Sequence, residues 1–366
     1  MRLISTEYLN PGNILGKTIY NGSKHVLLQE GIALNERMIA RLKELGIPFV
    51  YIEDSLTEGI EAKSTISEQT RAESIATIQK AFMEIGEQES LINSSFVIEK
   101  AAKKLGALIR NIMSEIKSND NLLTILSDMY IHDSYIFIHS FHVTLYSLAI
   151  GMQLNLSQKQ LEILGMGSIL HDVGKTKIPL DILLKPGRLT ELEYEEIKKH
   201  AEHGFHILKK AGTVPLLVAH CAFQHHERLN GSGYPRGLIG SEIHYYGKII
   251  AVADVFDAVT SNRVYRKAML PHEGLEILYS GSGSLFDQKI VEAFRKSVAI
   301  YPIGLTVVLN DGRIGVVSRQ NVGVSDRPVV RIIEENNKIV TEVYEVDLLK
   351  KMDVLIVDCD KTLLSK

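Results

Sequence analysis

Residues 171–175 read HDVGK and directly follow an apolar stretch, 161–170, whose length and spacing predict a buried helix. Adjacent imidazole and carboxylate groups at a helix end can bind metal ions from one backbone segment, and a carboxylate can bridge two ions. Lys175 adds a point positive charge that suits a phosphate. A surface turn is the ordinary alternative for a His-Asp pair, but the Gly and Lys that follow favour a metal site.

Histidines are concentrated around this stretch. Of the 13 histidines, eleven lie between His132 and His244. Within that region His139 and His142 share one predicted helix, and His200 and His203 share another. Composition alone does not choose the ligand in either pair, because a single histidine is more often packed or exposed than bound to a metal.

A second cluster spans residues 225–235, which read HHERLNGSGYP. Adjacent side chains on a helix diverge by about 100°, so His225 and His226 suit two neighbouring metal ions better than one. The glycines and the proline that follow end the helix. Tyr234 is therefore held on a turn, where its ring is available to stack on a base. A packing residue with a satisfied hydroxyl is an equal alternative.

A third cluster begins in the apolar segment 252–257, VADVFD, which predicts a buried helix. Asp254 needs a partner there, since burial of an unpaired charge is costly, and a metal ion would supply one. Asp257 lies one helical turn later on the same face. Basic side chains follow, and guanidinium groups suit phosphate oxygens, although a solvated surface is the alternative. These basic residues are Arg263, Arg266 and Lys267.

Together these strings resemble the HD-GYP branch of the HD phosphohydrolase superfamily. The resemblance covers about residues 125–300, in the order and spacing of the family. It implies a metal-dependent phosphodiesterase of bacterial second-messenger signalling that hydrolyses cyclic di-GMP to pGpG, with GMP as a candidate further product. The matching strings are HSFHV (139–143), HDVGK (171–175), HAEHG (200–204), HHERLNGSGYP (225–235) and ADVFDAVTSNRVYR (253–266).

The resemblance also implies residue roles. It places His142, His203 and His206 outside the ligand set, and it implies two divalent ions, iron or manganese. Asp172 and Lys175 are the expected catalytic residues. The implied metal ligands are His139, His171, Asp172, His200, His225, His226 and Asp254. The expected substrate contacts are Lys175, Gly233, Tyr234, Arg263, Arg266 and Lys267.

Two positions depart from the family pattern. Some members hold a third metal ion with a glutamate one turn before the first histidine, and here that position is Tyr135. We therefore do not expect a full set of three ions. The usual aspartate before the Gly-x-Gly-Tyr-Pro string is Asn230, which is a mild exchange.

The predicted fold class is multidomain α+β. An all-α HD-type catalytic domain, residues 125–300, is preceded by a small α+β module, residues 1–60, and a helical linker, residues 61–124. A small β-rich module, residues 301–366, follows it, with the turn Asn310-Asp311-Gly312 as a strong hairpin signal. A homodimer contact through the linker helices is one hypothesis, and packing of those helices on their neighbours is the alternative.

The composition limits which partners the protein can bind and in which compartment it is expected. The formal net charge of -3 argues against a protein that coats polymeric nucleic acid or anionic lipid. Two cysteines provide no disulfide framework, which fits a reducing compartment. No apolar run approaches the ~18 residues of a spanning helix, and no signal peptide is evident. We therefore expect a cytoplasmic protein that has no membrane segment.

Two rival functions remain at this point. One is an enzyme that acts on another cyclic dinucleotide, because details of the pocket set base identity. The other is a non-catalytic module that senses cyclic di-GMP. A sensor can lose ligands, whereas all seven implied ligand positions here carry coordinating residues, which favours catalysis.

Overall fold

The chain forms two compact units in the computed structural model, one from residues 1–65 and 298–359 and the other from residues 66–118 and 135–297. The first unit thus combines both ends of the described chain, and the domain boundaries predicted above stay predictions. The structure describes residues 1–20, 26–45, 47, 49–62, 65–86, 91–118, 135–185, 187–210, 214–261, 269–321 and 323–359.

The N-terminal part of the first unit is a small α+β arrangement. Strands β1 (Arg2–Ser5) and β4 (Phe49–Ile52) pair antiparallel, as do β2 (Ile19–Tyr20) and β3 (Val26–Leu28). Helix α1 (Glu36–Glu44) begins after Asn35, whose side chain accepts a hydrogen bond from the backbone N–H of Met38. Its apolar face joins the strands in one core, which includes Leu15, Leu34 and Leu42. These strands and this helix confirm the α+β character predicted for the region.

The C-terminal part of the same unit contains an antiparallel five-stranded sheet with the order β8-β7-β6-β5-β9. The turn between β5 and β6 places Gly312 at φ +86°, a left-handed conformation that glycine adopts without strain. The predicted hairpin is therefore confirmed. The strands are β5 (Thr306–Leu309), β6 (Ile314–Arg319), β7 (Val329–Glu335), β8 (Lys338–Asp347) and β9 (Ile356–Cys359).

The second unit is helical in its described residues. Helices α5 and α7 begin at capping boxes, which are formed by Ser157 with Gln160 and by Thr190 with Glu193. The helices are α2 (Glu68–Gly86), α3 (Leu91–Ser118), α4 (Tyr135–Gln153), α5 (Gln158–Leu170), α6 (Leu180–Leu183), α7 (Glu191–Lys198), α8 (His200–Lys210), α9 (Leu216–Gln224), α10 (Tyr245–Thr260), α11 (Pro271–Ser280) and α12 (Gln288–Ser297).

Helix α4 is the central helix of this unit. It packs against α2, α5, α10 and α12, and it is buried on nearly every side. Among the described residues it is also the one helix long and apolar enough to cross a membrane, so the expectation that no apolar run approaches this length is wrong; 78% of that window is buried inside the protein. An all-round apolar helix of this kind is typical of the core of a large domain.

The linker helices pack on their neighbours. Ile75, Ile78 and Phe82 of α2 recur at helical spacing and are buried within the unit. The ring of Phe82 meets that of Phe137 on α4 edge to face, with 5.6 Å between the centroids. This side of α2 is covered, which favours the packing alternative over a dimer contact through the same residues.

A glycine lets the turn after α5 approach α8. Residues 173–177 form a 3-10 helix, and a Cβ atom added at Gly174 would lie 1.9 Å from the carbonyl oxygen of His200 and 2.5 Å from the nitrogen of Gly204. No other residue type fits this space without a shift of the backbone. The close approach brings the beginning of α8 to the end of α5.

Candidate metal centre

Five separate segments bring imidazole and carboxylate groups to one place in the helical unit. Helix α4 and helix α10 each provide one such side chain, and the ends of α5 and α9 each provide two. The first residue of α8 provides the last. Six of the seven are buried, and His226 is half-buried. The side chains are His139, His171, Asp172, His200, His225, His226 and Asp254.

Asp172 lies at the centre of this cluster. Its Oδ2 atom is 3.6 Å from Nε2 of His139 and 3.4 Å from Nε2 of His171. Its Oδ1 atom is 3.3 Å from Nε2 of His200 and 3.9 Å from Nε2 of His225. Each carboxylate oxygen thus faces a different pair of imidazoles, which is the arrangement of a bridging ligand.

The ligand atoms form two groups, and within each group they lie within 4.8 Å of one another. One group contains His139, His171 and Asp254, and the other contains Asp172 and the three remaining histidines. Two ligands at about 2.1 Å from one ion are about 3.0–3.5 Å apart when they subtend roughly a right angle or a tetrahedral angle. The 3.1 Å between Nε2 of His139 and Oδ1 of Asp254 fits such a pair.

Three imidazoles are oriented by backbone carbonyl groups. The Nδ1 atoms of His171, His200 and His225 lie 2.7, 2.6 and 2.9 Å from the carbonyl oxygen three residues earlier. A carbonyl oxygen only accepts, so each Nδ1 carries the proton and donates it. In the neutral ring Nε2 then presents its lone pair to the cluster, as metal-bound histidines do.

Unsatisfied atoms in the cluster fit divalent cations. His171 Nε2 and Asp172 Oδ1 are buried and have no hydrogen-bond partner among the described residues. Leaving a buried polar atom unpaired costs about 1–3 kcal/mol. The Nε2 atoms of His200 and His225 face each other at 3.3 Å, with both ring protons already used on Nδ1. A cation removes both defects, because it accepts these lone pairs together.

The protonation states also suit metal binding. Burial lowers the pKa of His200 to about 4 and holds the pKa values of His225 and His226 well below their usual range. These rings are therefore neutral near pH 7, as ligation requires. Burial alone would raise the pKa of Asp172, but Lys175 and His171 hold it well below the usual value. The carboxylate is therefore ionised.

Asp257 orients the histidines of α4. Its Oδ2 atom lies 2.7 Å from Nδ1 of His139, and its Oδ1 atom lies 2.9 Å from Nδ1 of His142. Burial acts to lower the pKa of His139, but hydrogen bonds with Asp254 and Asp257 raise it overall. His142 thus lies against Asp257, whereas Nε2 of His139 lies among the metal-binding atoms. The sequence placed Asp257 near Asp254 but did not reveal this role.

Two predicted substrate contacts lie beside the cluster. Nζ of Lys175 is 2.5 Å from Oδ2 of Asp172. The ring of Tyr234 stacks on the ring of His226, with 4.6 Å between centroids and 28° between planes. Burial raises the pKa of Tyr234, so its hydroxyl stays protonated. One face of this ring is therefore already occupied by a candidate ligand.

The structure also describes some of the other residues that the sequence singled out. Gly233 lies against the backbone of its own loop, where a Cβ atom would be 2.4 Å from the carbonyl oxygen of His226. His203 and His206 lie on α8 but belong to neither ligand group, and the ring of Tyr135 stacks parallel to that of His139. The basic residues Arg263, Arg266 and Lys267 lie outside the described residues.

Comparison with known families identifies the helical unit. The family described as HD domain matches residues 97–290, more than half of the chain. This chain belongs to the HD domain family. A second family, described as a KOW domain associated with HD domain, matches residues 306–362, which include the five-stranded sheet. The predicted HD-GYP membership and the multidomain α+β fold class are confirmed.

Curated relatives of this HD domain protein are phosphodiesterases of cyclic dinucleotides. A cyclic di-GMP phosphodiesterase of Pseudomonas aeruginosa is 36% identical over 58% of this chain and 51% of its own length. One of Thermotoga maritima is 38% identical over 57% of this chain and 55% of its own length. A 3'3'-cGAMP-specific phosphodiesterase of Vibrio cholerae is 37% identical over 45% of this chain and 35% of its own length. The chain thus spans about half the length of the first two.

The family and the geometry agree on the general chemistry. HD phosphohydrolases are metal-dependent, and the described residues include two groups of histidine and aspartate side chains that can hold metal ions. The number and the identity of the ions belong to the proposal below.

Proposed function

We propose that this HD domain protein is a metal-dependent phosphodiesterase that hydrolyses cyclic di-GMP to pGpG in bacterial second-messenger signalling, with GMP as a candidate further product. The observation that carries the proposal is the position of Asp172, a buried carboxylate between two groups of imidazoles. The names of the curated relatives support the substrate class.

The proposed cofactors are two divalent ions, iron or manganese. Mixed imidazole and carboxylate ligands suit these metals, whereas thiolate ligands would favour zinc or iron–sulfur clusters. Asp172 would bridge the two ions. His139, His171 and Asp254 would complete one site, and the second site would take the remaining ligands, His200, His225 and His226.

The chain's own groups would bind and orient the substrate. The two cations, when bound, supply Lewis acidity and lower the pKa of water toward neutrality. Lys175 lies beside Asp172, so its ammonium group can neutralise charge that builds on a phosphate oxygen during the reaction. Burial of the ligands limits the access of bulk water and strengthens these interactions. No side-chain nucleophile is required.

The loop around Tyr234 would form one border of the substrate site. Its protonated hydroxyl can donate a hydrogen bond, and its ring keeps His226 in place by stacking. The family resemblance supports roles for Gly233 and for the three basic residues that follow α10 in holding the substrate. Those basic residues are Arg263, Arg266 and Lys267.

A different cyclic dinucleotide is the second candidate substrate. The observation that favours it is the similarity to a phosphodiesterase specific for 3'3'-cGAMP, at an identity close to that of the cyclic di-GMP relatives. A non-catalytic sensor is less well supported, because all implied ligand positions are filled. A cytoplasmic location, the absence of polymeric nucleic acid as a partner, and a homodimer remain predictions from the sequence.

The test is hydrolysis by protein loaded with iron or manganese under reducing conditions, with cyclic di-GMP, 3'3'-cGAMP and their products followed by chromatography. We expect cyclic di-GMP to be converted to pGpG. We expect Asp172→Asn and His225→Ala to lose both bound metal and turnover. His206→Ala is the matched control, because this exposed histidine shares helix α8 with His200 but belongs to neither ligand group. Intact cyclic di-GMP after incubation with protein that holds both ions would overturn the proposal.

A further inference from the structure

Helix α7 lies beside the loop that carries Tyr234. Nζ of Lys198, the last residue of α7, is 5.4 Å from the ring centroid of Tyr194 and 5.7 Å from that of Tyr234. One ammonium group therefore lies within cation–π distance of two phenol rings. The ring of Tyr234 is in turn 6.3 Å from that of His200, a candidate metal ligand. A continuous row of rings and one cation thus leads outward from the metal centre.

The outer end of this row is open to solvent. Tyr194 is 48% exposed. One face of the Tyr234 ring is covered by His226, whereas about half of Tyr194 is accessible to solvent. The side chain of Tyr194 contributes little to the stability of the fold in this position, because half of its surface stays in water.

Lys198 also makes an ion pair on its own helix. Its ammonium group pairs with Glu195, one turn earlier; the side chain of Lys198 is 25% exposed and that of Glu195 is 61% exposed. An ion pair with a solvent-exposed partner contributes little to stability, so Glu195 does little to fix the ammonium group. The next residue, Lys199, makes the same kind of i,i+3 pair with Glu196, but it makes no cation–π contact within the described part of the chain. The two lysines therefore provide a matched comparison.

We propose that Tyr194 and Lys198 form an outer subsite for the nucleotide of the substrate that lies farther from the metal centre. Tyr194 stacks on its base, and Lys198 faces its phosphate. This inference rests on the proposed function and deepens it. An exposed ring next to an ammonium group matches a nucleotide, which joins a flat base to an anionic phosphate. Every base has a stacking face, so this subsite contributes affinity for the dinucleotide rather than a choice between guanine and adenine.

The experiment compares two substrates of the metal-loaded full-length protein. One is cyclic di-GMP, and the other is methyl 4-nitrophenyl phosphate, a small diester that reports on the metal centre but does not reach the outer subsite. We expect Tyr194→Ala and Lys198→Met each to raise KM for cyclic di-GMP by about tenfold with little change in kcat. Hydrolysis of the small diester and the metal content should stay at the wild-type level.

Three control variants define the outcome. Tyr194→Phe should retain most of the affinity, because it keeps the stacking ring. Lys199→Met and Leu192→Ala should leave KM unchanged, since one removes an equivalent ion pair and the other removes an exposed apolar side chain of the same helix. An unchanged KM in Tyr194→Ala, or an equal loss on both substrates, overturns the subsite while the proposed function stands. Wild-type protein that cleaves the small diester but no cyclic dinucleotide overturns both.

Discussion

At the scale of single residues, the candidate metal centre depends on groups that are not themselves candidate ligands. The carbonyl groups before His171, His200 and His225 fix the tautomer of each ring, and Asp257 does the same for His139. Such supporting contacts determine whether a histidine presents a lone pair or a proton to the cation.

Asp257→Asn should weaken metal binding without removing a ligand. An amide can donate to Nδ1 of His139, which leaves the ring proton on Nε2, where the cation would be. We expect a loss of about 10–100-fold in manganese affinity, measured by titration of the metal-free protein. Ser261→Ala is the control, because it removes a 3.1 Å hydrogen bond to Asp257 but keeps the carboxylate. Unchanged affinity in Asp257→Asn would contradict the role.

Acid should destabilise the metal-free protein through the buried imidazoles. The pKa of His200 falls from 6.5 to about 4 because the ring is buried. Between these two pH values the unfolded chain takes up a proton that the folded chain does not, so the free energy of unfolding falls as the pH falls. Urea denaturation at several pH values should show this decrease, and His200→Gln should show a shallower one. Stability that rises on acidification through this range would refute the prediction.

At the scale of elements, the close contact between the turn after α5 and the start of α8 positions Asp172 beside His200. Gly174 permits that contact, because any side chain would collide with the carbonyl group of His200. The glycine is therefore as necessary to the geometry of the centre as the ligands on either side of it.

Gly174→Ala should separate α8 from the end of α5 and move His200 away from Asp172. We expect a loss of about 1–3 kcal/mol in the free energy of unfolding, as for other overpacked sites, together with less bound metal per chain. Urea denaturation and elemental analysis measure the two effects. Gly106→Ala is the control, because its added Cβ atom meets only ordinary contacts at 3.6 Å and beyond on helix α3. That variant should be neutral or slightly more stable. Full metal content in Gly174→Ala would show that the contact is dispensable.

At the scale of the whole molecule, the chain forms two compact units, and the candidate ligands all belong to the helical one. An ion that binds only the folded state stabilises the unit that holds it by about 2.7 kcal/mol at a concentration of 100 times its Kd. We therefore expect metal to stabilise the helical unit against unfolding but not the other unit.

Scanning calorimetry with and without manganese should show this inequality. We expect the transition of the helical unit to move to a higher temperature, while the transition of the unit formed by residues 1–65 and 298–359 stays in place. The variant His225→Ala should abolish the shift. Equal shifts of both transitions would contradict the assignment of the ions to one unit.

The sequence by itself determined the local structure and which side chains are available to bind metal. The boxes at Ser157 and Thr190 begin their helices because the capping contacts lie within four residues, and Gly312 forms its turn for an equally local reason. The family resemblance added which histidines to expect in the centre.

Only the tertiary structure decided how these groups meet. His139 lies among the metal-binding atoms and His142 against Asp257 because α4 packs on α10, a contact between segments more than 100 residues apart. Tyr234 likewise stacks on His226 and lies near Lys198 because its loop packs beside two helices. The spacing of residues along the chain does not predict such distances, because the packing of whole helices and loops sets them.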